Sequence, residues 1–145
     1  TLHELDSGFF ATVAVPNTLE GMLDFARESL DLVAPAGDFI YADAYEILMD
    51  GVQFGFTVGE AWVEGVPCDH LAFRKPELDF QLWIEQGERP LPRRIVITSR
   101  DVVGEPQYTV AIRDWNLDPE VPEGLFDFEP PKGAIQVEFL MVEED

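Results

Sequence analysis

Hydrophobic and polar positions alternate through most of this chain, most cleanly between residues 78 and 85. Leu78, Phe80, Leu82 and Ile84 interleave with Asp79, Gln81, Trp83 and Glu85, the pattern of a strand with one buried face. The period stays near two from Val52 onward. Phe54, Phe56, Val58 and Trp62 are predicted to share one face of a long strand. Cys68 to Arg74 returns after the turn Glu64-Gly65. Strands centred on Ile95-Val96-Ile97 and running from Gln107 to Trp115 follow, the latter with Tyr108, Val110 and Ile112 on one side. Phe126 and Phe128 predict a short strand, and Ile135, Val137, Phe139 and Met141 the last one. Ahead of this meander, Thr1 to Leu5 and Phe9 to Val15 predict a hairpin across Asp6-Ser7-Gly8.

After Pro16 the period becomes helical. Asn17 and Glu20 have the spacing of a capping box. Leu19, Met22, Leu23, Ala26 and Leu30 then form one apolar stripe, so the pattern predicts a helix from Thr18 to Leu32, closed by Pro35 and Gly37. A second helical region covers Asp38 to Asp50, with Asp43 and Glu46 as a cap, Gly51 as its stop, and Tyr45, Ile47, Leu48 and Met49 as its apolar part. Short turns between consecutive strands imply antiparallel pairing. Both helical segments carry apolar stripes that need burial, so they are expected to cover one face of the sheet. The expected fold is α+β: a strongly curved antiparallel sheet around an apolar interior, helices covering the concave face, and one domain over residues 1–145.

Composition narrows the partners. Twenty-nine acids face nine Lys and Arg, for a formal charge of −20. Phosphate backbones and anionic bilayer surfaces are repelled, so nucleic acid is not an expected partner. The acids are spread over turns and polar strand faces, which reads as solubility more than as a steering device. No apolar run approaches the roughly 20 residues of a membrane span, so a transmembrane protein is not expected. Cys68 is the only cysteine, which excludes an intramolecular disulfide without fixing the compartment.

The candidate chemistry is sparse. Cys68 and His70 point to one side of a predicted strand, but a zinc site wants about four ligands, and the only other histidine is His3. A buried thiol beside a hydrogen-bonded imidazole is the expectation, with no metal and no cofactor. Ser7, Ser29 and Ser99 are the only serines, and none sits in a nucleophile elbow. No catalytic residues are assigned. Gly51, Gly55 and Gly59 recur every fourth residue among strand formers, which suggests curvature or a bulge rather than a ligand cradle. Arg89, Arg93 and Arg94 form the one basic cluster and are expected to pair with neighbouring carboxylates.

Several stretches together resemble the predicted periplasmic proteins of unknown function in the LolA/LolB-like superfamily of outer-membrane lipoprotein carriers. They are Thr1-Leu2-His3-Glu4-Leu5-Asp6 with Phe10-Ala11-Thr12-Val13, Asp43 to Val52, Gly65 to Arg74, Asp79 to Ile84, Arg89-Pro90-Leu91-Pro92-Arg93, and Trp115 to Ala134. The resemblance implies a half-open β-barrel with helices lidding a hydrophobic concavity. It also implies a location in the periplasm or at the outer membrane. Relatives of this kind carry more strands ahead of the Thr1 hairpin, so the chain is expected to be the C-terminal portion of a larger LolA-like domain, with an exposed strand edge.

The expectation for function is therefore a non-enzymatic envelope protein that binds a lipid, a lipoprotein acyl chain or another hydrophobic small molecule. Phe54, Phe56, Trp62, Phe80, Leu82 and Ile84 from the sheet and Leu19, Met22, Leu23, Leu48 and Met49 from the helices are the expected lining. The alternative is an interaction or sensor module with a self-filled core, docking a partner or a second copy as a homodimer at an open strand edge. A hydrolase on the same scaffold is the least favoured reading.

Overall fold

A computed structural model describes residues 1–32, 34 and 36–139. They fall into two compact units, Pro35–Asn116 and Thr1–Ala34 with Leu117–Asp145. The predicted strand position Met141 lies outside the described residues.

The first unit is built on an open, curved antiparallel meander of five strands. These are β3 (Phe54–Val63), β4 (Val66–Arg74), β5 (Leu78–Glu85), β6 (Pro92–Ser99) and β7 (Gln107–Ala111), hydrogen-bonded in sequence order. Short connections join successive strands, tight at Glu64-Gly65 and longer between β5 and β6 and between β6 and β7, as antiparallel neighbours permit. The predicted helical region from Asp38 to Asp50 resolves into a 3-10 turn, Gly37–Ile40, and helix α2, Ala44–Met49. Asp43 stands at the N-cap of α2 but makes no side-chain cap bond. The chain passes from α2 into the sheet within a few residues: Val52 N–H donates to Met49 C=O at 3.1 Å and Gln53 N–H to Arg74 C=O at 2.9 Å.

Facing residues across an antiparallel ladder share a face. Phe80 faces Phe73 on one side and Ile97 on the other, and Leu82 faces Leu71 and Ile95. This inner face holds the core: Phe80, Leu82 and Ile95 are buried, with Phe39, Val52, Leu71, Phe73, Leu78, Ile84, Ile97 and Val110 packed around them. Each fully buried side chain of this size contributes about 1.5–3 kcal/mol by leaving water. The opposite, outer face carries Arg74, His70, Asp79, Gln81, Trp83, Arg94 and Thr98.

The second unit contains helix α1, Leu19–Leu30, and a three-stranded sheet of β1 (Leu2–His3), β2 (Phe9–Ala11) and β8 (Ile135–Val137). The predicted hairpin is present but shorter, with Leu2 opposite Ala11. β8 runs parallel to β2, with Phe9 opposite Ile135; their long connection allows what a tight turn would forbid. Phe126 and Phe128 form no strand; Phe128 instead packs its ring 5.4 Å from that of Phe10 and 5.8 Å from His3. Helix α1 is capped by Thr18, whose Oγ1 accepts from Gly21 N–H at 3.0 Å, one residue beyond the predicted Asn17 cap. It stops at Asp31 in the left-handed region (φ 52°), ahead of the expected Pro35 and Gly37. Aspartate is among the few non-glycine residues that accept this conformation readily.

Candidate functional site

Between α2, the 3-10 turn and the inner face of the sheet lies a cavity of about 280 Å³. Its lining is Phe39, Ala44, Tyr45, Leu48 and Met49 from the helical side and Leu71, Phe73, Phe80, Leu82 and Ile84 from the sheet. Only Tyr45 among these carries a polar side-chain atom, and that side chain is largely exposed. The cavity falls just below the roughly 300–1,000 Å³ usual for ligand pockets. The geometry follows from local sequence. The strict alternation of β5 puts Phe80, Leu82 and Ile84 on one face, and Gly55 opposite Phe73 leaves room for that ring. A Cβ on Gly55 would come within 2.7 Å of the Phe73 ring. The ring thus lies over the glycine and stacks on Phe80, centroids 4.8 Å apart.

Five of the expected lining residues, Leu48, Met49, Phe80, Leu82 and Ile84, come together here. Phe54 and Phe56 do not. They face Arg74 and Ala72 and so stand on the outer face, with rings 5.6 Å apart and mostly exposed. The single face predicted for Phe54, Phe56, Val58 and Trp62 is broken by a bulge between Thr57 and Gly59. An extra residue inverts the alternation beyond it, which places Trp62 opposite Pro67 on the inner side. Trp62 is 72% exposed and is not part of the cavity wall. Gly59 takes φ 147° at the bulge, a conformation that side chains resist. Leu19, Met22 and Leu23 belong to α1 in the other unit, where none of the helix's residues is fully buried. Sequence reasoning missed Phe39, Ala44, Tyr45, Leu71 and Phe73. The alternation of Leu71 and Phe73 with Ala72 and Arg74 was the available signal for the last two.

The outer face carries the polar chemistry. His70, Trp83 and Arg94 are consecutive cross-strand partners on β4, β5 and β6. The imidazole stacks on the indole at 4.1 Å and 13°, and its Nε2 lies 2.8 Å from Oε1 of Gln81. The guanidinium of Arg94 stands 5.6 Å from the Trp83 ring centroid. Its Nε is buried and meets no acceptor among the described residues. That is not the carboxylate partner expected for it, whereas Arg93 does pair with Glu85, Nε to Oε2 at 2.8 Å. Cys68 is fully buried, and its thiol donates to Val66 C=O at 3.5 Å. Burial pushes this thiol above its ordinary 9.0, which keeps it in the unreactive form. Among the described residues no three His, Cys, Asp or Glu side chains are grouped to hold a metal, and no helix is long and apolar enough to cross a membrane.

A family model described as "Predicted periplasmic protein (DUF2092)" matches residues 1–140. No curated protein and no solved structure matches the chain.

Proposed function

The chain belongs to this family of predicted periplasmic proteins, and from that premise we propose that it is a non-enzymatic carrier or receptor for a hydrophobic ligand, such as a lipid or an acyl chain, held under α2. The observation that carries this reading is the cavity wall itself: ten residues, nine with wholly apolar side chains, between the helical segments and the sheet of one unit. An acyl chain entering it gains about 0.8 kcal/mol per methylene removed from water. Every wall residue is suited to exclude water, and none is placed to activate it. In this reading the open sheet with helices against its apolar face is a half-open barrel of the lipoprotein-carrier kind. The support is that the covered face is the apolar one.

Native mass spectrometry on protein recovered from a bacterial periplasm tests the proposal, together with uptake of a fluorescent apolar probe. Expected are a co-purifying lipid at up to one per chain and saturable probe binding that Leu48→Trp weakens. No retained lipid and no saturable uptake would overturn it.

A second reading has its own observation. Among the described residues β3 is paired on one side only, by β4, and Phe54, Phe56, Val58 and Trp62 along it are exposed. A partner strand could add there. The same spectra decide it: a dimer mass with no ligand would favour docking over carriage.

A further inference from the structure

Granting the carrier reading, we propose that its ligand is a single-chain amphiphile with an anionic head, the head held by Lys75 and the tail lying in the cavity. Lys75 follows the last residue of β4 and starts the turn into β5, with its N–H donating to Leu78 C=O at 2.8 Å. Its side chain reaches back over the apolar floor, Nζ standing 5.8 Å from the centroid of the Phe80 ring. There Lys75 borders a hollow of about 60 Å³ with Asp38, Leu48, Leu78, Phe80, Ile95 and Ile97. Leu48 and Phe80 line both this hollow and the larger cavity. The two hollows are thus neighbours with Leu48 and Phe80 in common, and the smaller one has the ammonium group in its lining.

Lys75 combines a place on the rim of this hollow with the lack of a carboxylate partner. Arg74, Arg93, Arg100 and Arg113 each meet a carboxylate. Lys75 meets none within ion-pair distance among the described residues, in a chain where acids outnumber Lys and Arg 29 to 9. Its polar contact is the Ile47 carbonyl at 3.4 Å, one of those left open at the end of α2. That single acceptor leaves donor capacity on the ammonium. A carboxylate arriving with its tail in the cavity would make a charge-assisted hydrogen bond beside apolar walls, where such bonds are strong. The small volume argues for one chain rather than two. Asp38 shares the hollow and opposes an anionic head, so Asp38→Asn is expected to tighten binding.

The test titrates the protein at neutral pH with dodecanoate, dodecanol and dodecyltrimethylammonium, each below its micellar concentration, by calorimetry or probe displacement. Dodecanoate is expected to bind about tenfold more tightly than dodecanol, and the cationic amphiphile most weakly. Lys75→Gln keeps a donor for Ile47 C=O and should erase the preference, so that dodecanoate and dodecanol bind alike; Lys75→Arg should retain the preference. Equal affinity for dodecanoate and dodecanol in the unaltered protein would overturn the head-group assignment and leave the carrier reading standing, as would a preference that survives Lys75→Gln. Binding of none of the three would overturn the carrier reading itself.

Discussion

The two faces of the five-stranded sheet use the same strands and solve different problems. The inner face places Phe73, Phe80, Leu82, Ile84 and Ile95 against α2 and the 3-10 turn, yet leaves a void among them. The outer face has polar and aromatic residues locked across the strands by the His70–Trp83–Arg94 stack and the Arg74–Asp79 pair. Close packing is the default of protein interiors, so an apolar void forfeits contacts that a filled core would have. On the outer face cross-strand pairs contribute one by one, and burial there is confined to Cys68 and Val63 among the described residues. The face that holds the hydrophobic core cluster is thus also the one left incomplete.

The sharpest way to break this comparison is to remove its centre. Phe80→Ala deletes a buried ring that stacks on Phe73 and lines the cavity. The expected loss is about 3–5 kcal/mol, a large share of the roughly 5–15 kcal/mol that holds a domain together. Denaturant unfolding measures it. A loss no greater than that caused by Trp83→Ala on the outer face would mean that the inner face does not dominate.

The bulge sorts side chains between the faces, and it also marks where the sequence stopped being legible. β5 could be read directly, because a half-buried strand with unbroken alternation has one parity from Leu78 to Glu85. β3 was recognisable as a strand, but the side each residue takes was not. The period of two carries no mark of an inserted residue, so by alternation alone Phe54 and Phe56 share a face with Trp62. Gly59 is the available signal, but a glycine among strand formers suggests curvature or a bulge without placing the break. The five-strand meander and its antiparallel order were legible because short polar turns leave no other pairing. The parallel β2–β8 pair was not, since it joins residues at opposite ends of the chain. Phe39 and Tyr45 escaped because short helical pieces have too few turns to show a stripe.

Gly59→Ala tests the sorting itself. Alanine resists φ 147°, so the variant is expected to lose more than about 1 kcal/mol. If the bulge shifts to relieve the strain, the Trp62 fluorescence environment changes with it. An alanine accepted at no cost and with an unchanged spectrum would show that the bulge does not depend on this glycine.

The smallest expected effect lies on the outer face and is sharpened by pH. Asp79 takes two bonds from Arg74, Nε to Oδ1 at 2.8 Å and NH2 to Oδ2 at 2.7 Å, with Arg100 Nε at 4.0 Å. The hydrogen bonds from Arg74 hold its carboxyl below the ordinary 3.8. A carboxylate with a depressed folded value contributes stability that is whole above 3.8 and disappears as pH falls through the folded value. Asp79→Asn should therefore lower the denaturation midpoint slightly at neutral pH, and the gap between variant and parent should close in strong acid. Because the pair is partly solvated, added salt should shrink the gap as well. The binding of dodecanoate or dodecanol should not respond to this substitution at neutral pH, since Asp79 stands on the far side of the sheet from the cavity. An Asp79→Asn variant with altered ligand affinity would mean that the two faces are coupled through the strands, and that the division of labour between them is wrong.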